Sequence, residues 1–213
     1  MEKNRKRIIF YVLGSIFLGF LLLTFMVSIF PVSLLDREFS EEIQEHQFPL
    51  LDWVMKAISW PGTAPQSLLI VLSISLIFLF FKRKREAIFI TSTLLSGLIS
   101  RILKILIDRP RPTDDLVRII EKAKYQSFPS GHVLFYVIFF GFLIILMNHL
   151  KDINRPLRIT VMLISSFLIF TIPISRIYLG AHWFTDVFGS ALLGILGLFA
   201  LGYFYLKTPT HSS

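Results

Sequence analysis

The stretch IIFYVLGSIFLGFLLLTFMVSIF, residues 8–30, runs for 23 residues without a charge. Crossing the hydrocarbon core of a bilayer takes about 20 consecutive apolar residues as a helix. A helix is also the form in which a single segment satisfies all its backbone hydrogen bonds internally. The run is therefore read as membrane-spanning. It follows Lys3, Arg5, Lys6 and Arg7, which gives it the look of a signal peptide. Its length exceeds that of a cleaved apolar region, and no A-x-A-like site follows, so it is expected to stay as the first transmembrane helix.

Five more apolar segments lie further along: Ser67 to Phe81, Ala87 to Ile107, Val133 to Asn148, Ile159 to Ile174 and Phe184 to Leu206. Some are shorter than the ~20 residues a span requires, but flanking residues such as Ala64 to Gln66 can extend them. The expectation is an all-α, polytopic membrane bundle of six transmembrane helices. With 54% hydrophobic residues, 22 of them phenylalanine, and a mean hydropathy of +0.68, the chain is too apolar for an ordinary soluble domain. No Pro/Gly/Ser-rich linker or internal repeat divides it, so residues 1–213 are read as one domain. The lack of cysteine excludes disulfides, thiolate chemistry and Cys-based metal centres.

The net charge of +8 raises nucleic acid as a partner. The basic residues, however, stand in short clusters between apolar runs, where their role is topological, and no nucleic-acid partner is expected. If six spans alternate, Lys3 to Arg7, Lys82 to Arg85, and Lys151, Arg155 and Arg158 share one side, which the positive-inside rule makes cytoplasmic. Both termini are then cytoplasmic. The opposite side receives Leu34 to Asp52, where Asp36, Glu38, Glu41, Glu42, Glu45 and Asp52 face a single Arg37. Within that loop Pro49 opens a stretch with Leu50, Leu51, Val54, Met55 and Ile58 near helical spacing, accompanied by Trp53 and Trp60. This pattern suits a short interfacial helix, packed on the bundle or admitting substrate. The tail Thr208 to Ser213 is expected to be disordered.

Polar groups at membrane depth are costly and call for an explanation. Arg101, Lys104, Arg111, Ser130, His132, Arg176, His182 and Asp186 all fall toward the non-cytoplasmic side of this topology. Lys104, Arg111 and Arg176 together can neutralise a phosphate dianion, with arginine matching the geometry of its oxygens. Singly, Lys104 and Arg176 could equally snorkel to the interface. Pro129-Ser130-Gly131-His132 precedes an apolar helix, so Ser130 is either a plain N-cap or part of an anion cradle at the helix start. His182 and Asp186 are four residues apart and share a helix face, so the carboxylate can hold one imidazole nitrogen and leave the other as a nucleophile. An interfacial anchor beside Trp183 is the plainer alternative. Metal ligation by His132, His182 and Asp186 is disfavoured by the three neighbouring cations, which would repel a metal ion.

Lys104, then six residues and Arg111-Pro112; Pro129-Ser130-Gly131-His132; and Ser175-Arg176, then five residues, His182, three residues and Asp186: in order and spacing these resemble the three signature motifs of the type 2 phosphatidic acid phosphatase (PAP2) superfamily. Arg109-Pro110 duplicates the Arg-Pro pair, and the family spacing from Lys104 selects Arg111. The resemblance implies a metal-independent two-step phosphoryl transfer without a cofactor. His182 would attack phosphorus, Asp186 would orient it and His132 would protonate the leaving oxygen. Lys104, Arg111, Ser130, Gly131 and Arg176 would bind the phosphate oxygens. Six spans and short loops look like the lipid phosphatases of the superfamily, in particular bacterial enzymes acting on undecaprenyl diphosphate or phosphatidylglycerol phosphate. A phosphatidic acid or broad-specificity lipid phosphatase is the alternative. The expected partners are a lipid phosphate and the surrounding membrane lipids, with no obligatory protein partner. A transporter is a rival reading, countered by charges gathered at one face and by the lack of an inverted repeat. A lipid-binding scaffold with a dead site is countered by the intact motif residues.

Overall fold

The structure is a computed structural model that describes residues 2–208. Along the chain, helix α1 spans Glu2–Ile29, α2 Leu34–Gln44 and α3 Pro49–Ser59. A 3₁₀ turn at Trp60–Gly62 leads to α4, Gln66–Phe80, then α5 Lys84–Ser92 and α6 Leu95–Ile107. The chain continues with α7 Gly131–His149, α8 Arg155–Tyr178 and α9 Phe184–Lys207. Among the described residues there is no strand, as an all-α membrane protein requires. Beyond Thr208, the tail expected to be disordered lies outside the described residues.

Among the described residues, five helical stretches are long and apolar enough to cross a membrane: Asn4–Ile29, Lys84–Ile107, Gly131–His149, Arg155–Tyr178 and Phe184–Lys207. The second expected span resolves differently. Helix α4 starts at Gln66, so the anticipated extension back to Ala64 gains a single residue, and 15 residues reach only about 22 Å. Pro61, Gly62 and Pro65 break the chain there. The sixth crossing exists if Pro49–Gly62 and Gln66–Phe80, bent by 56° at the break, are taken together. The interfacial helix expected from Pro49 is present as α3, with Trp53 and Trp60 exposed on it and on the turn that follows. The span over Ala87 to Ile107 is interrupted at Thr93-Leu94, where 3₁₀-type bonds such as Thr93 N–H to the Ile90 carbonyl tighten the turn.

The layering follows from apolar distribution. Helix α7 is apolar on every side, and Val133 to Leu143 are buried all round, which marks a central helix. It packs against α8, α9, α6 and α5. Close approach to α9 depends on glycine: a Cβ on Gly194 would lie 2.8 Å from the Val137 side chain, and one on Gly141 would lie 2.5 Å from Leu198. Helix α1 instead exposes Ile8, Phe10, Phe17, Leu18, Leu22 and Phe25 and packs on α9, the disposition of a lipid-facing peripheral span. Helix α2 was not anticipated as a separate element. Its start is a capping box, in which the Asp36 N–H donates to Ser33 Oγ and the Ser33 N–H donates to Asp36 Oδ2.

The C-terminal ends of α6 and α8 and the N-terminal ends of α7 and α9 meet at one end of the bundle. Residues 108–130 cover that end. They are pinned there by the Ile120 and Glu121 N–H groups to the Leu179 carbonyl, both 3.1 Å, and the segment is closed on itself by the Ser127 N–H to the Arg109 carbonyl, 2.8 Å.

Candidate active site

Helix α9 begins after Trp183, and its third residue, Asp186, is fully buried. One oxygen of its carboxylate accepts the Trp183 N–H at 2.9 Å and the Ser127 hydroxyl; the other accepts Arg109. His182 lies just ahead of the helix, 2% exposed. Its Nδ1 is 3.4 Å from Asp186 Oδ2, and its Nε2 is 3.4 Å from Arg111 Nη1. The imidazole therefore stands between a carboxylate on one nitrogen and a guanidinium on the other. The Nδ1 contact exceeds a good N–H···O bond, because three other donors already draw on the carboxylate. Burial, reinforced by the charges of Arg111, Lys104 and Arg176, pushes the His182 imidazole well below its usual pKa. The ring is thus neutral at physiological pH, with a lone pair on one nitrogen.

The cations are held by backbone carbonyls. Lys104, on the last turn of α6, donates to the Gln126 carbonyl at 2.6 Å and the Ser127 carbonyl at 3.1 Å. Arg111 donates to the carbonyls of Tyr125, Gln126 and Ala181. Burial, followed by the charge of Arg176, lowers the Arg111 guanidinium to about 10, so it remains protonated at neutral pH. Arg176, near the end of α8, is 1% exposed and donates to the Ser59 hydroxyl and to both Glu121 oxygens at 3.0 Å.

Ser130 occupies the N-cap position of α7, yet its hydroxyl makes no capping bond; it is buried and has no hydrogen-bond partner in the protein. A plain cap would use the hydroxyl on the helix N–H groups. His132 Nε2 and Arg176 Nε are likewise buried without hydrogen-bond partners. Buried polar atoms are nearly always bonded, so such a cluster points to a polar ligand. Room is limited on both sides of it: a Cβ on Gly131 would lie 3.2 Å from Ser100 Oγ, and one on Gly62 would lie 2.6 Å from the His132 ring.

Two cavities flank this cluster. One, of about 480 Å³, is lined by His132, Lys104 and Arg101 together with Leu94, Ile105 and Phe135, between α4, α6 and α7. The other, of about 320 Å³, is lined by Arg111, Thr113, Glu121 and Lys122 of the covering loop. The first has mostly apolar walls; the second carries more charged side chains, Asp114 among them.

The eight residues singled out in the motifs, Lys104, Arg111, Ser130, Gly131, His132, Arg176, His182 and Asp186, all sit at this one end of the bundle. Four residues escaped the sequence reading. Arg109 and Asp36, both buried, form an ion pair at 2.7 Å, and Arg109 also pairs with Asp186. Ser127 bonds Asp186, and Glu121 bonds Arg176. Arg109 was visible as the duplicated Arg-Pro pair; Asp36 was one acid among several in a loop. The two arginines divide their contacts: Arg111 meets His182, whereas Arg109 braces the far side of Asp186.

The profile of the PAP2 superfamily matches residues 85–209. The chain is 28% identical over 190 residues to phosphatidylglycerophosphatase B of Bacillus subtilis (strain 168), covering 87% of this chain and 90% of that one. Its fold is similar to the crystal structure of a transmembrane PAP2-type phosphatidylglycerolphosphate phosphatase from Bacillus subtilis. The TM-score is 0.78 at 25% identity, over 94% of this chain and 99% of the other. LpxE of Aquifex aeolicus is a more distant likeness, with a TM-score of 0.57 at 26% identity over 80% of this chain and 94% of that one. With its motif residues gathered at one end of a membrane-spanning bundle, the chain belongs to the PAP2 superfamily, among its membrane-embedded phosphatases.

Proposed function

We propose that this protein hydrolyses a phosphate from a lipid phosphate or diphosphate through a phosphohistidine intermediate, with phosphatidylglycerol phosphate and undecaprenyl diphosphate as the foremost substrates. The observation that carries the reading is His182, a buried neutral imidazole set between Asp186 and Arg111. In the first step His182 Nε2 forms a bond to phosphorus as the bond from phosphorus to the leaving oxygen breaks. The electron pair goes to that oxygen, which takes a proton from His132. Asp186 steadies the charge that develops on the ring; its contact with Nδ1 is of the loose kind that tightens once substrate binds. In the second step water attacks phosphorus, His132 accepts its proton, and the P–N bond breaks to release orthophosphate and free His182.

Lys104, Arg111 and Arg176, with the Ser130 hydroxyl and the N–H groups at the start of α7, supply the positive field for the phosphate oxygens. Three fixed cations take the electrostatic part that a metal ion plays in other phosphoryl transfers. The apolar-walled cavity beside His132 suits the lipid leaving group, and the cavity beside Arg111, with Asp114, Glu121 and Lys122 in its lining, suits exit of phosphate to water. The positive-inside rule supports placing both termini in the cytoplasm and the site on the extracytoplasmic face. The similarity to phosphatidylglycerophosphatase B supports the first substrate; phosphatidic acid is the alternative.

The test is phosphate release by the purified protein from undecaprenyl diphosphate, phosphatidylglycerol phosphate, phosphatidic acid and a soluble phosphomonoester, with and without EDTA. Release from lipids is expected to exceed that from the soluble ester, to survive EDTA, and to be inhibited competitively by vanadate, which adopts the five-coordinate shape of the transfer state. Failure to release phosphate from any lipid overturns the reading. Loss of activity on chelation, restored by a divalent ion, overturns its metal-free part.

A further inference from the structure

Arg101 takes no part in the chemistry above. It sits on α6, six residues before the helix ends at Ile107, or about 9 Å along the axis, inside a stretch long and apolar enough to span the membrane. It is exposed. Among the described residues no hydrogen bond or ion pair engages its guanidinium, and its described contact is the Tyr125 ring, 5.9 Å away. A cation at such a depth without a counter-ion is costly unless an anion comes to it.

Its position says which anion. Arg101 is three residues before Lys104, on the same face of α6, and both line the 480 Å³ cavity together with His132. Lys104 faces the transferred phosphate and His132 the leaving oxygen, so the next group along the substrate, on the lipid side of the breaking bond, comes to Arg101. A diacylglycerol leaving group is uncharged and offers a guanidinium nothing. A leaving group that keeps a phosphate of its own offers two or more charged oxygens, and a guanidinium is shaped to receive them.

We propose that Arg101 is a second anion site, which binds the phosphate that departs with the lipid and so selects substrates carrying two phosphates. This rests on the phosphatase reading given above. The shared chemistry is a second phosphate on the lipid side of the scissile one. It is present in an isoprenyl diphosphate, where the second phosphate adjoins the first, and in phosphatidylglycerol phosphate, where a glycerol separates them.

The experiment compares kcat/KM of the wild type, Arg101→Gln and Arg101→Lys on four lipids: undecaprenyl diphosphate, phosphatidylglycerol phosphate, undecaprenyl monophosphate and phosphatidic acid. Loss of a charge-assisted contact is expected to lower kcat/KM of Arg101→Gln by about 10- to 100-fold on a two-phosphate lipid. The fall on the two one-phosphate lipids should stay within about threefold, and Arg101→Lys should recover part of the loss. Which two-phosphate lipid is affected identifies the source of the second phosphate. An equal fall on all four lipids, the result of misfolding or of a merely interfacial arginine, overturns the inference, as does no fall on any. A wild type that hydrolyses one-phosphate lipids alone overturns it while leaving the phosphatase reading intact. A wild type inactive on all four removes that reading, and this inference with it.

Discussion

His182 and His132 are chemically identical side chains in different surroundings. His182 is buried between Arg111 and Asp186, whereas His132 lines the apolar-walled cavity and presents a buried Nε2 with no protein partner. In the proposed mechanism one attacks phosphorus and the other serves the oxygen that leaves, so their removal has different expected consequences. His182→Ala is expected to abolish both turnover and a trappable phosphoenzyme. His132→Ala is expected to slow turnover by about 10²–10⁴, and by less for a substrate with a good leaving group. Acid quench after brief exposure to ³²P-labelled lipid reads the covalent species directly. Label retained by the His182→Ala protein would reverse the assignment. Ser130 carries a related lesson: its place at a helix start was legible in the sequence, but only the structure shows that its hydroxyl is left without a cap bond.

At the scale of elements, α2 is tied to the site by charge. Asp36, in its first turn, accepts from Arg109 at 2.7 Å, from the Thr185 N–H at 2.9 Å and from the Thr185 hydroxyl at 2.8 Å, and Arg109 passes on to Asp186. Removing one member of a buried charge cluster leaves the others uncompensated, at about 3–5 kcal/mol. With about 2–4 °C per kcal/mol for a chain of this size, Asp36→Ala is expected to lower the thermal midpoint of the detergent-solubilised protein by roughly 6–20 °C. It should also reduce kcat, since Arg109 would then shift onto Asp186. Asp36→Asn, which keeps an acceptor for the Thr185 N–H, is expected to lose less. An unchanged midpoint for Asp36→Ala would show that the cluster contributes nothing. None of this was legible beforehand. The transmembrane helices were readable because about 20 apolar residues are an unmistakable length, and the site because its residues fall at fixed spacings. Asp36 and Glu121 meet their arginines across 73 and 55 residues, separations that leave no periodic trace. The shortened α4 could have been anticipated from Pro61, Gly62 and Pro65, whose effect on the helix start outweighed hydropathy.

For the whole molecule, the basic clusters and the site lie at opposite ends. Lys84 opens α5, and Asp115 belongs to the loop that covers the site. Cysteines introduced at these two positions, in a chain with no native cysteine, are expected to label from opposite sides of intact cells, with Asp115→Cys outside. Labelling from the same side would break the six-crossing arrangement. The way the cations are anchored has a further consequence for such a molecule. Lys104 and Arg111 are bound to backbone carbonyls at residues 125–127 and 181, so the positive field is already formed in the free protein. A field formed in advance spends nothing on reorganisation when the phosphoryl group reacts, but it is equally ready for free orthophosphate, which bears the same oxygens and similar charge. Under the proposed function, rate enhancement and product inhibition therefore have one origin, and turnover becomes tied to how low the phosphate concentration is kept on the side of the membrane that the site faces.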